Sequence, residues 1–399
     1  MTRNWGDWLA GRLSRVTSGA AVVGEIDGLR LIPILFVVLH HIYASYLVES
    51  AVFGPVQFPK SWDAIARENF WVLVASRGNY GVHMFFVISG FVLALPFLRA
   101  ANAAAPPPNL RRYYLRRLTR LEPPYVVALL VAYAIHGYNG KSLADLFPHL
   151  LASIFYLHGL VYGTHSEVLG IAWSLEVEAQ FYLMMPLLAA LLFRLPRRKL
   201  VITALAIIWG IGAQAAIGSP RVPAVFDITL LRFLPYFLAG FVLADCHLTR
   251  WATPSTKPLR WDAAALFAAL LLAGFLIWQP RFAFLTWRLQ PLTDGAFFGF
   301  AMPWLLFVVY AAVFRGRVLR GVLTQRWAVI TGGMCYSAYL YHNFAVGLSL
   351  RPIYGLIGGA LPPAWECFVL ALLILPAVFV LTAVMFALVE RPFMRAARG

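Results

Sequence analysis

Ten runs of predominantly apolar residues, each about 17 to 25 residues long, recur along the chain of 399 residues. A helix of that length crosses the hydrocarbon core of a bilayer. No water is available in that core, so each span must satisfy its backbone hydrogen bonds internally, as a helix does. We therefore predict an all-α, polytopic membrane protein with about ten transmembrane helices. The runs lie near residues 28–48, 80–98, 120–137, 172–193, 200–217, 228–245, 261–279, 294–314, 330–350 and 364–388.

Residues 146–163, LFPHLLASIFYLHGLVYG, do not fit this pattern, because His and Pro interrupt the apolar run. We predict a helix that lies near the membrane interface or re-enters the membrane.

The composition agrees with a membrane protein, since 61% of the residues are hydrophobic and 13% are charged. Soluble proteins carry roughly twice that charged fraction. The three cysteines, Cys246, Cys335 and Cys367, lie far apart and form no metal-ligand spacing. We expect no metal cofactor and no role for disulfides.

The net charge of +16 is explained by membrane orientation. If the N-terminus is cytoplasmic, the inner segments collect 23 of the 33 Lys and Arg residues, and the outer loops hold eight. Positive residues prefer the cytoplasmic side. We therefore expect a multi-pass protein of the plasma membrane with both termini cytoplasmic, in contact with membrane lipids, and no nucleic-acid partner.

Three regions are predicted from this pattern. Residues 1–24 form a cytoplasmic amphipathic segment that lies on the inner leaflet, because its Trp, Leu and Val residues recur near helical spacing. Residues 25–393 form the transmembrane domain, and residues 394–399 form a cytoplasmic tail.

The first span, within EIDGLRLIPILFVVLHH at residues 25–41, contains Arg30 and His41. Their separation of eleven residues corresponds to about 16 Å and three turns, so both side chains share one helix face. Asp27 lies three residues before Arg30 and is expected to pair with it. Arg30 alone is compatible with snorkelling to the interface. Aligned with a histidine near the middle of the membrane, it favours a functional site.

A second candidate region, RRYYLRRLTRLEPPY at residues 111–125, places Arg116, Arg117 and Arg120 close together at the cytoplasmic mouth. Guanidinium groups bind phosphate oxygens in a bidentate manner. The alternative is an anchor that touches anionic lipid.

A third region, WSLEVEAQFY at residues 173–182, carries two acids at the outer end of a span. Glu178 shares a face with Ser174 and Tyr182. It could orient a histidine or a sugar hydroxyl, or pair structurally with an arginine such as Arg232.

Two further segments contain histidines inside spans. In GVHMFFVISGF at residues 81–91, His83 is predicted to pack at a wet interface. In CYSAYLYHN at residues 335–343, Tyr339 and His342 share a face, and either structural hydrogen bonding or lining of a site accounts for them.

Taken in order, these segments resemble the acyltransferase-3 family of membrane acyltransferases. The resemblance rests on DGLR…HH, GVHMFFVISGF, RRLTRLEPPY, WSLEVEAQFY, CYSAYLYH and the closing VERPF at residues 389–393. The sequence departs from the family pattern at Leu31, often glycine, and at His83, commonly an acid. The chain ends nine residues after Glu390, so we expect no appended extracytoplasmic esterase-like domain.

The resemblance implies ten core spans and transfer of an acyl group, commonly acetyl, from cytoplasmic acyl-CoA to a hydroxyl of a glycan or a glycosylated small molecule. It assigns His41 as the catalytic histidine, Arg117 and Arg120 to the acyl donor, and Glu178 as the acid of the WSLxxE-like segment. Acyl-CoA is then a co-substrate held at Arg116, Arg117 and Arg120, and Arg30 positions it.

On this reading His41 is a general base for the acceptor hydroxyl, and a transient acyl-histidine is the alternative route. A proton-coupled transporter or flippase of a glycan precursor, with His41 and Glu178 as a proton relay, is the rival from another class. A third reading is a structural subunit of a glycan-assembly complex.

Overall fold

A computed structural model describes residues 5–15, 24–53, 70–216, 222–251, 253–286 and 295–396. These residues form helices, and the part of the chain so described contains no strand. The first nine α-helices are α1 (Trp5–Leu13), α2 (Gly24–Leu29), α3 (Leu31–Phe53), α4 (Phe70–Ser76), α5 (Gly81–Asn102), α6 (Leu110–Tyr138), α7 (Leu143–Ile154), α8 (His158–Tyr162) and α9 (Ala172–Leu192).

The second half continues with α10 (Arg198–Ala216), α11 (Leu230–Thr249), α12 (Pro258–Thr286), α13 (Met302–Arg315), α14 (Val318–Leu323), α15 (Arg326–Gly333), α16 (Cys335–Ile357), α17 (Pro363–Met385) and α18 (Arg391–Ala396). Short 3₁₀ segments cover Arg77–Tyr80 and Ala224–Ile228, and π-helical segments cover Gly295–Ala301 and Phe386–Glu390.

Nine helical segments among the described residues are long and apolar enough to cross a membrane, and each overlaps a predicted span. The remaining predicted span, 330–350, corresponds to α16, a helix of 23 residues that includes Arg351. The structure thus confirms an all-α chain with several membrane-spanning helices. The interrupted segment 146–163 forms two short helices, α7 and α8, and no single long one.

Two compact units divide the chain. The first contains residues 1–82, 273–285 and 321–399, and the second contains residues 83–272 and 286–320.

In the first unit, backbone approaches at glycines fix how α2, α14 and α15 pack. A Cβ atom on Gly28 would lie 1.8 Å from the carbonyl oxygen of Leu323, and one on Gly332 would lie 1.8 Å from that of Asp27. No side chain fits at such distances. Glycine therefore sets the position of the segment that holds Asp27 and Arg30.

The N-terminal helix α1 also belongs to the core of the first unit. Its Ala10 and Leu13 are buried in a cluster with Ile330, Met334 and Phe386. Of the predicted amphipathic segment 1–24, the structure describes residues 5–15 and Gly24, and the side chains of Ala10 and Leu13 there pack on protein. The position of segment 1–24 on the inner leaflet stays a prediction.

In the second unit, α5 and α11 approach each other at two glycines. A Cβ atom on Gly90 would lie 2.3 Å from the carbonyl oxygen of Phe237, and one on Gly240 would lie 2.3 Å from that of Val87. The Phe237 ring also stacks on Phe181 of α9, with centroids 3.9 Å apart. Together, small residues and stacked rings hold α5, α9 and α11 in contact.

Candidate active site

The predicted site residues belong to both units, and each unit forms its own cluster. Arg30 and His41 lie in the first unit. The second unit contains the other four: Arg116, Arg117, Arg120 and Glu178.

Arg30 lies at the junction of α2 and α3, where helical hydrogen bonding continues through its own backbone groups. Pro33 lacks the N–H that would bond to Leu29, which explains the interruption at this point. The Arg30 guanidinium pairs with Asp27, as the spacing predicts. Arg15 Nη1 donates to the same carboxylate at 2.7 Å. Two guanidinium groups therefore share the buried carboxylate of Asp27 at this end of the span.

His41 is held by its own helix in one defined tautomer. Its Nδ1 lies 2.8 Å from the Val37 carbonyl oxygen, which can only accept a hydrogen bond. In the neutral ring the proton is therefore on Nδ1, and Nε2 carries the basic lone pair. Nε2 makes no hydrogen bond to any described residue, and the side chain is partly exposed. This is the arrangement that a general base requires.

His342 of α16 packs edge-on against His41, with ring centroids 4.8 Å apart and planes at 67°. Its Nδ1 donates to the Tyr339 carbonyl oxygen at 2.8 Å and is 3.0 Å from that of Ala338. The side chain is fully buried, and its Nε2 has no hydrogen-bond partner among the described residues. The sequence is compatible with two roles for His342, structural hydrogen bonding or lining of a site. The structure places its ring against that of His41, the predicted catalytic residue.

His40 completes this group, which we call the histidine cluster (His40, His41 and His342). The His40 and His41 rings are 5.2 Å apart and nearly perpendicular. His40 Nδ1 donates to the Ser76 carbonyl oxygen at 3.1 Å. This bond connects the first span to the end of α4.

In the second unit, Arg117 lies between two tyrosine rings. Its guanidinium carbon is 4.0 Å from the ring centre of Tyr113 and 5.3 Å from that of Tyr182. Nη1 donates to the Tyr113 carbonyl oxygen at 3.3 Å. Cation–π contacts of this kind fix a guanidinium without using its N–H donors. Its other N–H groups make no hydrogen bond within the described residues.

Glu178 is joined to Arg117 through Tyr182. The Tyr182 hydroxyl donates to Glu178 Oε1 at 2.6 Å, and Ser89 Oγ donates to the same oxygen at 2.7 Å. The sequence assigned Arg117 to the inner mouth and Glu178 to the outer end of their spans. The structure instead brings both to one tyrosine, a contact that spacing along separate helices does not reveal.

The other two arginines differ in their surroundings. Arg116 is exposed, whereas Arg120 is half-buried like Arg117. The i, i+3 pair of Arg117 and Arg120 is therefore the part of the predicted cationic face that is turned into the unit.

The sequence offered a structural role for Glu178, an ion pair with Arg232, and one for His83, packing, and both can be compared with the observed contacts. Arg232 donates to the Asp227 carbonyl oxygen at 3.1 Å and makes no ion pair with Glu178. His83 is half-buried, with its ring centre 5.3 Å from that of Phe233 and 4.9 Å from that of Tyr236. The contacts of His83 agree with its predicted role in packing.

The second acid, Glu176, has a separate position. It is 2% exposed, and its Oε2 accepts a hydrogen bond from the Gly159 N–H at 2.7 Å. It thereby attaches α8 to the start of α9. In the part of the chain that is described, no group of three or more His, Cys, Asp or Glu side chains could hold a metal ion.

Comparison with known proteins identifies relatives of this chain. The family model described as an acyltransferase domain, that of the acyltransferase-3 family, matches residues 23–390. The protein named O-acetyltransferase OatA of Staphylococcus aureus strain NCTC 8325 / PS 47 is 23% identical over 349 residues, covering 83% of this chain and 51% of the relative. OatA of strain MRSA252 shows the same values.

The chain therefore spans about half the length of the curated relatives it matches. No solved structure matches it. Since the family model covers most of the chain, including both clusters described above, the protein belongs to the acyltransferase-3 family.

Proposed function

We propose that the protein is a membrane O-acyltransferase that moves an acyl group, in the first instance acetyl, from acyl-CoA to a hydroxyl of a glycan or a glycosylated small molecule. The observation that carries the proposal is the tautomer of His41, whose Nδ1 is bonded to Val37 and whose Nε2 has no hydrogen bond to a described residue. The names of the relatives support an acetyl group and an oxygen acceptor.

His41 acts as general base in this proposal. Its Nε2 takes the proton of the acceptor hydroxyl while the oxygen attacks the thioester carbonyl. The carbon–sulfur bond then breaks, and the departing thiolate takes the proton back from the imidazolium. General-base assistance of this kind contributes about 10²–10⁴ in rate. In the alternative order, Nε2 itself attacks the thioester and the acyl group passes from the ring to the hydroxyl.

The donor-binding role belongs to Arg116, Arg117 and Arg120. Arg117 is fixed by Tyr113 and Tyr182 and keeps N–H donors for phosphate oxygens. Glu178 holds the Tyr182 hydroxyl, so it positions the ring on which Arg117 rests. In this role Glu178 does not touch the reacting atoms, which refines its assignment as a catalytic residue.

The membrane arrangement follows the distribution of charge. We propose a plasma-membrane protein with both termini cytoplasmic, residues 25–393 as the catalytic domain, and residues 1–24 and 394–399 on the cytoplasmic side. The excess of Lys and Arg in the predicted inner segments supports this orientation. It places the donor arginines where acyl-CoA is available.

The test uses the purified protein in lipid nanodiscs with acetyl-CoA radiolabelled in the acetyl group and a glycan extract as acceptor. We expect His41→Gln to lower the transfer rate by about 10²–10⁴, because Gln cannot take up a proton. His136→Gln is the matched control, since His136 is half-buried and its ring bonds, among the described residues, to the Val168 carbonyl oxygen alone.

Transfer by His41→Gln at the wild-type rate, with the protein folded, would overturn the proposal. Failure of the wild-type protein to cleave acetyl-CoA, combined with proton-dependent uptake of a glycan precursor, would establish the transporter reading. For the donor site, Arg117→Gln is expected to raise the KM for acetyl-CoA more than it lowers kcat.

A further inference from the structure

A basic cleft lies in the second unit, and none of the residues proposed for acyl transfer lines it. It has a volume of about 820 Å³ and is formed by the end of α5, the turn between α9 and α10, and the end of α11. Five cationic side chains and one carboxylate line it: Arg194, Arg197, Arg198, Lys199, Arg250 and Asp245. Its size is within the range of sites for small ligands.

Part of this charge is neutralised within the protein. Arg198 binds the buried Asp245 through two hydrogen bonds, from Nε at 2.9 Å and from Nη2 at 2.6 Å. Lys199 Nζ is 3.6 Å from the same carboxylate and donates to Thr249 Oγ1 at 2.7 Å. These contacts join α10 to α11, and both carboxylate oxygens of Asp245 are paired.

The other three cations of the cleft have no such role. The side chains of Arg194, Arg197 and Arg250 form no hydrogen bond or ion pair with any residue that the structure describes. Like charges gathered on one cleft repel each other unless an anion lies among them. The described residues therefore provide no anion that bonds to these three cations.

The backbone conformation of Arg197 is unfavourable for an arginine, which indicates that this side chain is required at this position. Its φ angle is +52°, in the left-handed region that favours glycine. An arginine at this position has an energetic cost that glycine would not have. Strain of this kind is typical of residues held in place for a function.

We propose that the basic cleft binds a ligand through its phosphate groups, which guanidinium forks recognise in a bidentate manner. The phosphate can come from a soluble nucleotide such as coenzyme A or from the headgroup of an anionic lipid. The positive-inside distribution predicts a cytoplasmic position for this turn, and both sources are present there. In its nucleotide form the inference rests on the proposed function, and in its lipid form it does not.

The test compares Arg194→Gln/Arg197→Gly with the matched control Lys257→Gln/Arg260→Gln, which removes two exposed charges outside the cleft, one just before α12 and one in its first turn. Coenzyme A binding is titrated in detergent. Lipid binding is measured by native mass spectrometry after extraction from phosphatidylcholine vesicles with and without phosphatidylglycerol. We expect the cleft variant to bind one of the two probes roughly tenfold more weakly, and added salt to weaken the wild-type interaction.

Loss of coenzyme A binding identifies the nucleotide source, and loss of retained phosphatidylglycerol identifies the lipid source. Equal binding of both probes to the wild type and the cleft variant would overturn the inference, as would a wild type that binds neither. Arg197→Gly relieves backbone strain, so we expect the variant to keep the thermal stability of the wild type. Equal melting temperatures would then show that a loss of binding is not caused by misfolding. His41→Gln separates the proposals, because it removes acyl transfer and leaves phosphate binding unchanged.

Discussion

At the scale of single residues, the candidate site depends on where each imidazole places its proton. His41 and His342 both donate from Nδ1 to carbonyl oxygens of their own helices. Hydrogen bonds of this type leave both Nε2 atoms as bases and fix the rings in orientation. The two differ in surroundings, because His41 is partly exposed and His342 is buried. We therefore assign the reacting role to His41 and a positioning role to His342.

This assignment predicts different effects for two substitutions of His342. His342→Ala removes the ring that lies 4.8 Å from His41 and is expected to lower kcat by about 10²-fold, because small misplacements of a catalytic group have effects of that size. His342→Phe restores a ring and is expected to recover most of the rate. Steady-state kinetics with acetyl-CoA measure both, with the KM for the donor as an internal control. Equal loss in the Ala and Phe variants would mean that the imidazole itself moves a proton.

At the scale of helices, close backbone contact at small residues decides how α5 and α11 pack. Gly90 and Gly240 face each other's helices at distances that exclude a methyl group. Close contacts of this kind stabilise helix pairs in membranes by van der Waals packing. The sequence showed small residues in GVHMFFVISGF, and only the tertiary structure identified their partner.

Gly90→Ala is expected to destabilise the protein by about 1–3 kcal/mol, because its Cβ would lie 2.3 Å from the Phe237 carbonyl oxygen. The matched control is Gly347→Ala in α16, where a Cβ atom has nothing within 4 Å. That substitution is expected to be neutral or to stabilise by about 0.5–1 kcal/mol, as alanine is the better helix former. Thermal unfolding in detergent measures both. The prediction is wrong if the two variants unfold at the same temperature.

The segment of α7 and α8 contains a pair of histidines whose protonation is linked to folding. His158 is fully buried, its Nδ1 donates to the Thr164 carbonyl oxygen, and its Nε2 accepts from His149 Nδ1 at 2.9 Å. Burial lowers the pKa of His158 below its ordinary value of 6.5. A proton on His158 Nε2 would also point at the N–H of His149, so this hydrogen bond would be lost.

Because the unfolded chain binds this proton more readily than the folded one, stability is expected to fall as the pH drops through about 6.5. His158→Gln keeps an acceptor for His149 and does not titrate, so it should reduce this slope by up to about 1.4 kcal/mol per pH unit. Unfolding temperatures measured from about pH 8 to about pH 5 test this. Leu160→Ala, an exposed change in the same helix, should keep the wild-type slope. An unchanged slope in His158→Gln would contradict the prediction.

At the scale of the whole molecule, α16 decides the topology. The nine segments that are apolar enough to span would leave the termini on opposite sides, and α16 as a tenth span brings them to the same side. Its lower hydropathy comes from polar residues such as Ser337 and His342 that are buried in protein. Ser337 bonds to Glu390 of the VERPF segment at 2.7 Å. Polar residues satisfied in this way are compatible with a span.

We therefore predict that α16 crosses the membrane. Alkaline phosphatase is active only outside the cytoplasm, so a fusion at Ala360 is expected to be active and a fusion after Ala396 inactive. A fusion at Asn139, between α6 and α7, is the active control, because the charge distribution places this loop outside. An inactive fusion at Ala360 combined with an active one after Ala396 would rule out this topology.

The sequence by itself determined the fold class, the positions of most spans and the Asp27–Arg30 pair, and it identified His41 as the candidate base. These features depend on the apolar length of each run and on the helical repeat, both of which are local. The tertiary structure decided that His342 lies against His41, that Tyr182 joins Arg117 to Glu178, and that five cations gather at one cleft. Such contacts join residues far apart in the chain, and the helix packing that creates them depends on glycine approaches and ring shapes that no local pattern encodes.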